Sequence, residues 1–287
     1  MLQQVDAGAF GLEASAVAYL GLKGTAISPD VTLHHLLTHT SGIGDDADEE
    51  AGESYEAVWR DRPNYSVREA VDFLPGFVHR APNFAPGQGC RYNNCGYVLL
   101  GLMIERAANR SYRDVVREDV FAQAGMADSD FLSMDRVHER MAEGADPIRD
   151  ETDTITGWKR NIYSYPPIGS PDGGAHVTAA DLDRFMRAVL EGRLLSAEQT
   201  AAILAPQVVC SVRDGWAEHY GFGPWFHVSD DGTLVFLEKE GANAGASGLV
   251  RHYPSRDLTV VMLSNLEDGV WGPIRTAHEM VLAGAFG

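Results

Sequence analysis

Apolar and polar positions divide this chain into two stretches with different periods. CGYVLLGLMIERAA, residues 95–108, is apolar on nearly every face, which predicts a central, buried helix. In DLDRFMRAVLEG, Leu182, Phe185, Met186, Val189 and Leu190 form one stripe, and Gly192 marks the stop. Four tetrapeptides have capping-box spacing: SVRE at 66–69, SYRD at 111–114, TAAD at 178–181 and SAEQ at 196–199. In each, the hydroxyl can accept an early helix amide. Beyond Cys210 the period shortens. YGFGPWFHV, TLVFLEK, SGLVRHY and LTVVMLS are β-prone runs parted by the turn sequences SDDG and PSRD, so neighbouring strands should be antiparallel. A last helix is expected over about 272–282. The pattern predicts one α/β (α+β) domain over 1–287, mostly helical from about 30 to 210, with an antiparallel sheet and covering helix from about 211.

Composition narrows the partners. With 23 Lys and Arg against 41 Asp and Glu, the net charge of −18 argues against nucleic acid or an anionic membrane surface. No stretch approaches the roughly 20 apolar residues that cross a bilayer, and MLQQVDAGAF has neither the basic nor the apolar region of a signal peptide. Compartment stays open. Much of the acid is local, in DDADEEAGESYE at 45–56, which reads as a solvated loop that could rim a cleft. Cys90, Cys95 and Cys210 form no framework and read as free thiols.

Three constellations could carry chemistry. In FAPGQGCRYNN a turn sequence delivers Tyr92 and Asn94 just ahead of the central helix. A phenol can relay a proton if a nearby cation lowers its pKa, and an amide can orient a substrate carbonyl. Lys239, one of only three lysines, follows the apolar run TLVFL and precedes Glu240, Gly241 and Ala242. It could supply that cation or meet a carboxylate. Gly241 would let another backbone approach, and the Ala242 amide could face a developing oxyanion. The plainer reading is an edge-strand lysine that discourages aggregation. The third is TLHHLLTHTSG, where His35 and His39 have the i, i+4 spacing of metal ligands. A zincin needs glutamate at 36, and Leu36 stands there, so both read as structural histidines with metal binding as a remote alternative. SPDGGAHVT reads as a close backbone approach leading into the cap at Thr178.

Taken in order, LHHLLTHTSG, APGQGCRYNNCGYVLLG, PDGGAHVTAADLDRF, YGFG and KEGANAG followed by YPSRDLTVVMLSN resemble the serine β-lactamase-like family, which includes class C β-lactamases, D-Ala-D-Ala carboxypeptidases and related esterases. The resemblance covers essentially the whole chain. It implies a helical lobe against an antiparallel sheet with the active site between them, no metal or organic cofactor, and hydrolysis of a small ester, amide or peptide through an acyl-enzyme. By the same resemblance Tyr92 assists the nucleophile and the leaving group, Asn94 holds substrate, Lys239 and Gly241 match the third motif, and Ala242 offers half the oxyanion hole. Glu240 departs from the small or hydroxyl residue common there, which favours an esterase or peptidase-like substrate over a β-lactam.

The family's nucleophile comes from Ser-x-x-Lys. Residues three before the lysines are Leu20, Thr156 and Phe236, so the motif does not occur, and no Gly-x-Ser-x-Gly replaces it. MLQQVDAG reads as the last two turns of a helix stopped by Gly8, which resembles the end of the family's nucleophile helix. The expectation is a chain lacking N-terminal strands and the start of that helix. As written it should be inactive. The alternative to an enzyme is a noncatalytic relic or scaffold that keeps the cleft. An in-frame Ser-x-x-Lys ahead of the Met1 codon would favour the enzyme.

Overall fold

A computed structural model describes residues 1–48 and 51–286. The central helix, α5 (Asn94–Ala108), buries Cys95, Val98, Leu99, Leu100, Met103 and Ile104, and even its glycines, as its nearly uniform apolar surface requires. Gly101 lies so near Pro171 that an added Cβ would sit 2.0 Å from its ring. Around α5 pack the short helices α1 (Leu2–Asp6), α2 (Ala16–Leu20), α3 (Leu33–Leu37) and α4 (Leu74–Phe77), whose Leu33, Leu36 and Phe77 are almost wholly buried against it.

Caps behave as the hydroxyl spacing requires at three of the four expected sites. Ser111, Thr178 and Ser196 accept the amides of Asp114, Asp181 and Gln199, opening α6 (Tyr112–Val116), α8 (Ala179–Leu190) and α9 (Ala197–Ile203), with the short α7 (Ala122–Ala124) between the first two. At the fourth, Ser66 turns its hydroxyl back to the Pro63 carbonyl, and Asp72 takes the amides of Arg68 and Glu69. The next turn, Ala70–Phe73, therefore starts from Glu69. A competing local acceptor displaced the start by three residues. The close approach expected in SPDGG is present. A Cβ on Gly169 would lie 2.4 Å from the Gly174 carbonyl oxygen.

Six antiparallel strands form the main sheet in plain sequence order: β3 (Val208–Arg213), β4 (Trp216–Tyr220), β5 (Trp225–Ser229), β6 (Leu234–Asn243), β7 (Ala246–Tyr253) and β8 (Leu258–Ser264). One face packs on α8 through Met186, Phe226, Leu237 and Val250. The other is covered by α10 (Trp271–Leu282), with Phe236 and Tyr253 against Val281, and Leu249 against Ile274. The sheet begins slightly before its expected start, at Val208.

The sequence reading missed a two-stranded hairpin, β1 (Ala145–Arg149) and β2 (Ile155–Arg160), inside the stretch expected to be helical. Ile148, Ile155 and Trp158 remain 46–56% exposed, so the hairpin lacks the alternating burial by which strands are recognised. Its base is tied to the main sheet by Ala145 N–H to the Asn265 carbonyl and by Asn161 Nδ2 to the Ala244 carbonyl. Among the described residues no helix is long and apolar enough to cross a membrane.

The cysteine expectation is corrected. Cys90 and Cys210 are disulfide-bonded across 120 positions of sequence, joining the turn before Tyr92 to β3, and only Cys95 is free. A separation that long leaves no local spacing to read.

Candidate active site between the helical lobe and the sheet

Residues 90–93 have no regular structure before α5 begins at Asn94, yet the amides of Arg91, Asn93, Asn94 and Cys95 each have an anchor in the loop that follows α3. Helix α3 ends at Leu37, where Thr38 Oγ1 donates to the His34 carbonyl. His39 then turns into the left-handed region, φ 56°. Its carbonyl accepts from Arg91 N–H at 2.9 Å and its Nδ1 from Asn93 N–H at 3.2 Å. Asn93 caps α5, with Oδ1 accepting from Gly96 N–H while Nδ2 donates to the Ile43 carbonyl. The Asp45 carboxyl takes the amides of Asn94 and Cys95 at 3.1 and 3.4 Å, where the helix dipole also favours an acceptor. HTSGIGDD is thus a cradle for Tyr92.

Gly42 shows how tightly this cradle closes. With φ +66°, it lies against the loop carrying Phe84, and a Cβ there would stand 2.1 Å from the Phe84 carbonyl oxygen. Alanine at 42 adds left-handed strain to an overlap with backbone, together roughly 2–3 kcal/mol. The expected result is a melting temperature about 3–5 °C lower, while Gly52→Ala, at φ +82° with nothing within 4 Å, should change it much less. Equal shifts in the two variants would show that the close approach carries no weight.

The sheet contributes Lys239. Pairing between β5 and β6 ends at Trp225 opposite Glu238. From Lys239 to Asn243, β6 pairs with β7 alone, which leaves its other edge open towards the cradle. Strand alternation puts Lys239 on the face of Leu237 and Val250. Glu238, Glu240 and Ala242 take the opposite face, where Glu238 is bonded to Arg251 and His227. The Glu240 side chain therefore leaves the cleft. Lys239 lies where that edge opens, but its ammonium turns in against the Tyr92 and Tyr220 rings, which argues against a lysine kept to deter aggregation.

Lys239 Nζ lies 4.8 Å from the centre of the Tyr92 ring and donates to Tyr220 Oη at 3.0 Å. Burial lowers its pKa from 10.5 to about 8, partly offset by the Glu240 carboxylate. The surrounding groups are neutral. Burial holds the Tyr220 phenol well above its usual range and pushes Tyr97, whose hydroxyl donates to the Leu37 carbonyl, up to about 12. Burial, then the Lys239 charge, keeps His39 well below its ordinary value, so its imidazole is neutral. An ammonium among aromatic faces regains from their quadrupoles only part of what it loses in hydration.

Of the residues singled out from sequence, Tyr92 and Lys239 meet. Asn94 is the first residue of α5, half-buried, with its amide on Asp45. Gly241 and Ala242 are exposed on β6 opposite Gly248 and Ser247, and no atom lies within 4 Å of a Cβ built on Gly241. The strand runs on past Gly241 to Asn243. Tyr220 was missed. Its part depends on a contact between strands that YGFG does not signal.

His35 and His39 do not form a metal pair. The first bonds Thr32 through Nδ1 and the second bonds Asn93. The acidic loop is also corrected at its start: Asp45 and Asp46 are 7% and 6% exposed, while Glu49 and Glu50 lie outside the described residues. Burial, with the Asp46 charge beside it, raises Asp45 to about 7 against the hydrogen bonds of Cys95 and of the α5 amides, so the two carboxyls can share a proton under Asn94.

A penicillin-binding protein from Bacillus halodurans superposes with a TM-score of 0.89 at 34% identity, over 97% of this chain and 81% of that one. Penicillin-binding protein 4* of Bacillus subtilis is 27% identical over 83% of this chain but 52% of its own length, so the chain spans about half of that relative. Esterase EstB of Burkholderia gladioli is 27% identical over 87% of this chain and 68% of its own length. A match to the Beta-lactamase family runs from residue 1 to residue 285, and the chain belongs to that family.

Proposed function

We propose that these 287 residues supply the acid–base and substrate-holding part of a serine hydrolase that cleaves a small ester or amide through an acyl-enzyme. The observation that carries this reading is the ammonium of Lys239, on the sheet, set 4.8 Å from the ring of Tyr92, on the helical lobe. In it, Tyr92 relays a proton to and from the nucleophile and leaving group, with Lys239 favouring the phenolate. Asn94 orients the substrate carbonyl or amide. The open edge of β6 at Gly241 and Ala242 receives substrate backbone, and the Ala242 amide stabilises the oxyanion. The substrate class in this reading is an ester or a peptide-like amide, without the preference over a β-lactam that Glu240 had suggested, because its side chain leaves the cleft. EstB is named an esterase and the Bacillus relatives penicillin-binding proteins, which supports the two classes without choosing between them. The Cys90–Cys210 disulfide favours an oxidising compartment.

No Ser-x-x-Lys occurs in the 287 residues, so no serine here has the family's nucleophile spacing. The chain by itself should turn over nitrophenyl esters and a chromogenic cephalosporin no faster than its Tyr92→Phe variant. Where the codons ahead of Met1 encode an in-frame Ser-x-x-Lys, the extended protein should hydrolyse the esters and lose about 10²–10⁴-fold in rate with Tyr92→Phe. An extended protein indifferent to that substitution would overturn the role of Tyr92. One with the motif but no turnover would favour the second reading, a noncatalytic protein that keeps the cleft.

A further inference from the structure

We propose that His39 is the positioning residue for Tyr92, holding the peptide on both sides of it. The proposal rests on the reading of Tyr92 as the working phenol, but its geometry stands apart from that reading. The carbonyl of His39 takes Arg91 N–H and its imidazole takes Asn93 N–H, so the residues flanking Tyr92 are fixed by one side chain and its own backbone. Its ring is 4.5 Å from that of Tyr92 and 4.4 Å from that of Tyr220, the group that bonds Lys239. One buried ring thus touches both partners of the ammonium.

Two features show that histidine is kept here at a cost. Its backbone is left-handed, a region that non-glycine residues seldom adopt. Its Nε2 is buried with no hydrogen-bond partner among the described residues, in a residue 2% exposed. Accepting from Asn93 leaves Nδ1 bare, so the neutral ring carries its proton on Nε2 and buries an unpaired donor. A leucine would fill similar space without that penalty. What leucine lacks is the acceptor at Nδ1. Asparagine has an oxygen at the corresponding place and tolerates the left-handed backbone, but gives up the ring.

The pair of variants His39→Leu and His39→Asn separates these contributions. In the parent protein, imidazole ¹⁵N shifts should report a bare Nδ1 and a protonated Nε2. His39→Leu should speed hydrogen exchange at the Asn93 amide by about tenfold, the loss of one hydrogen bond, and leave the Val250 amide in β7 unchanged. It should also weaken the Tyr92–Lys239 nuclear Overhauser contacts. His39→Asn should keep Asn93 protected. If His39→Leu does not fold, His39→Asn decides alone, and a protected Asn93 amide in it upholds the clamp. Unchanged exchange at Asn93 in His39→Leu, or its loss in His39→Asn, would overturn the proposal. Tyr92→Phe keeps the clamp, so it should leave Asn93 protected whatever it does to turnover. Failure of the positioning role and failure of the catalytic reading are thereby distinguishable.

Discussion

Removing the Cys90–Cys210 disulfide should lower stability by about 3–4 kcal/mol and the melting temperature by about 5–7 °C. The bond closes a loop across 120 positions, and in the chain-entropy account a cross-link of that length strips the unfolded ensemble of more freedom than any single contact in the cradle returns. Its location adds a second effect. Cys90 is two residues before Tyr92, and Cys210 belongs to the outer strand of the sheet that carries Lys239, so the bond ties the two halves of the candidate site together. The double variant Cys90→Ala, Cys210→Ala tests both consequences by thermal melting. Alkylation of the unfolded, unreduced protein provides the check on the bond itself. One thiol, Cys95, should react. Three reactive thiols, or a double variant that melts with the parent, would contradict this account.

How much of this was open to reading in the sequence depends on the range of each interaction. Helix α5 was legible because its apolar character recurs in every turn, and the caps at Ser111, Thr178 and Ser196 because a cap is local. The strands β5 to β8 were legible from short apolar runs between turn residues. The pairing of Tyr92 with Lys239 came through only as part of a family resemblance, since 147 positions separate them and neither neighbourhood names the other. What escaped was chemistry made by tertiary contact. His39 looked like a structural histidine, and in its hydrogen bonds it is one, but the peptide it holds is the one bearing Tyr92. Asp45 looked solvated because it opens an acidic run, yet the amides at the start of α5 draw it inside. Tyr220 reaches Lys239 from a strand that does not pair with β6. The β1–β2 hairpin was missed for another reason: it has little buried face, so its sequence carries little periodicity.

The reading of Glu240 changes with its position. From sequence it stood beside the lysine and argued against a carboxylate-bearing substrate. In the sheet it points to the face of Glu238 and Arg251, and burial with the neighbouring Glu238 charge raises its pKa. Its influence on Lys239 is then a modest opposing charge, and preference among ester, peptide and β-lactam substrates falls to the open edge of β6 and the rim beside it.

The central claim is that Lys239 is half-buried, its ammonium desolvated against the Tyr92 and Tyr220 rings, and so titrates well below an exposed lysine. Proton release from its ammonium should occur at about 8, where an exposed lysine would hold its proton to 10.5. The sign for stability follows. A folded-state pKa below the unfolded one means that the unfolded chain binds the extra proton between about pH 8 and 10.5, so this group's burial penalty applies in full below 8 and is relieved as pH rises through that window. Only three lysines occur in the chain, which makes the direct measurement tractable: ¹³Cε and ¹⁵Nζ titration by NMR, with Lys239→Arg to assign the resonance. A Lys239 midpoint close to 8 that shows contacts to the Tyr92 and Tyr220 rings is the predicted result. A midpoint at the ordinary lysine value, with no such contacts, would contradict the site.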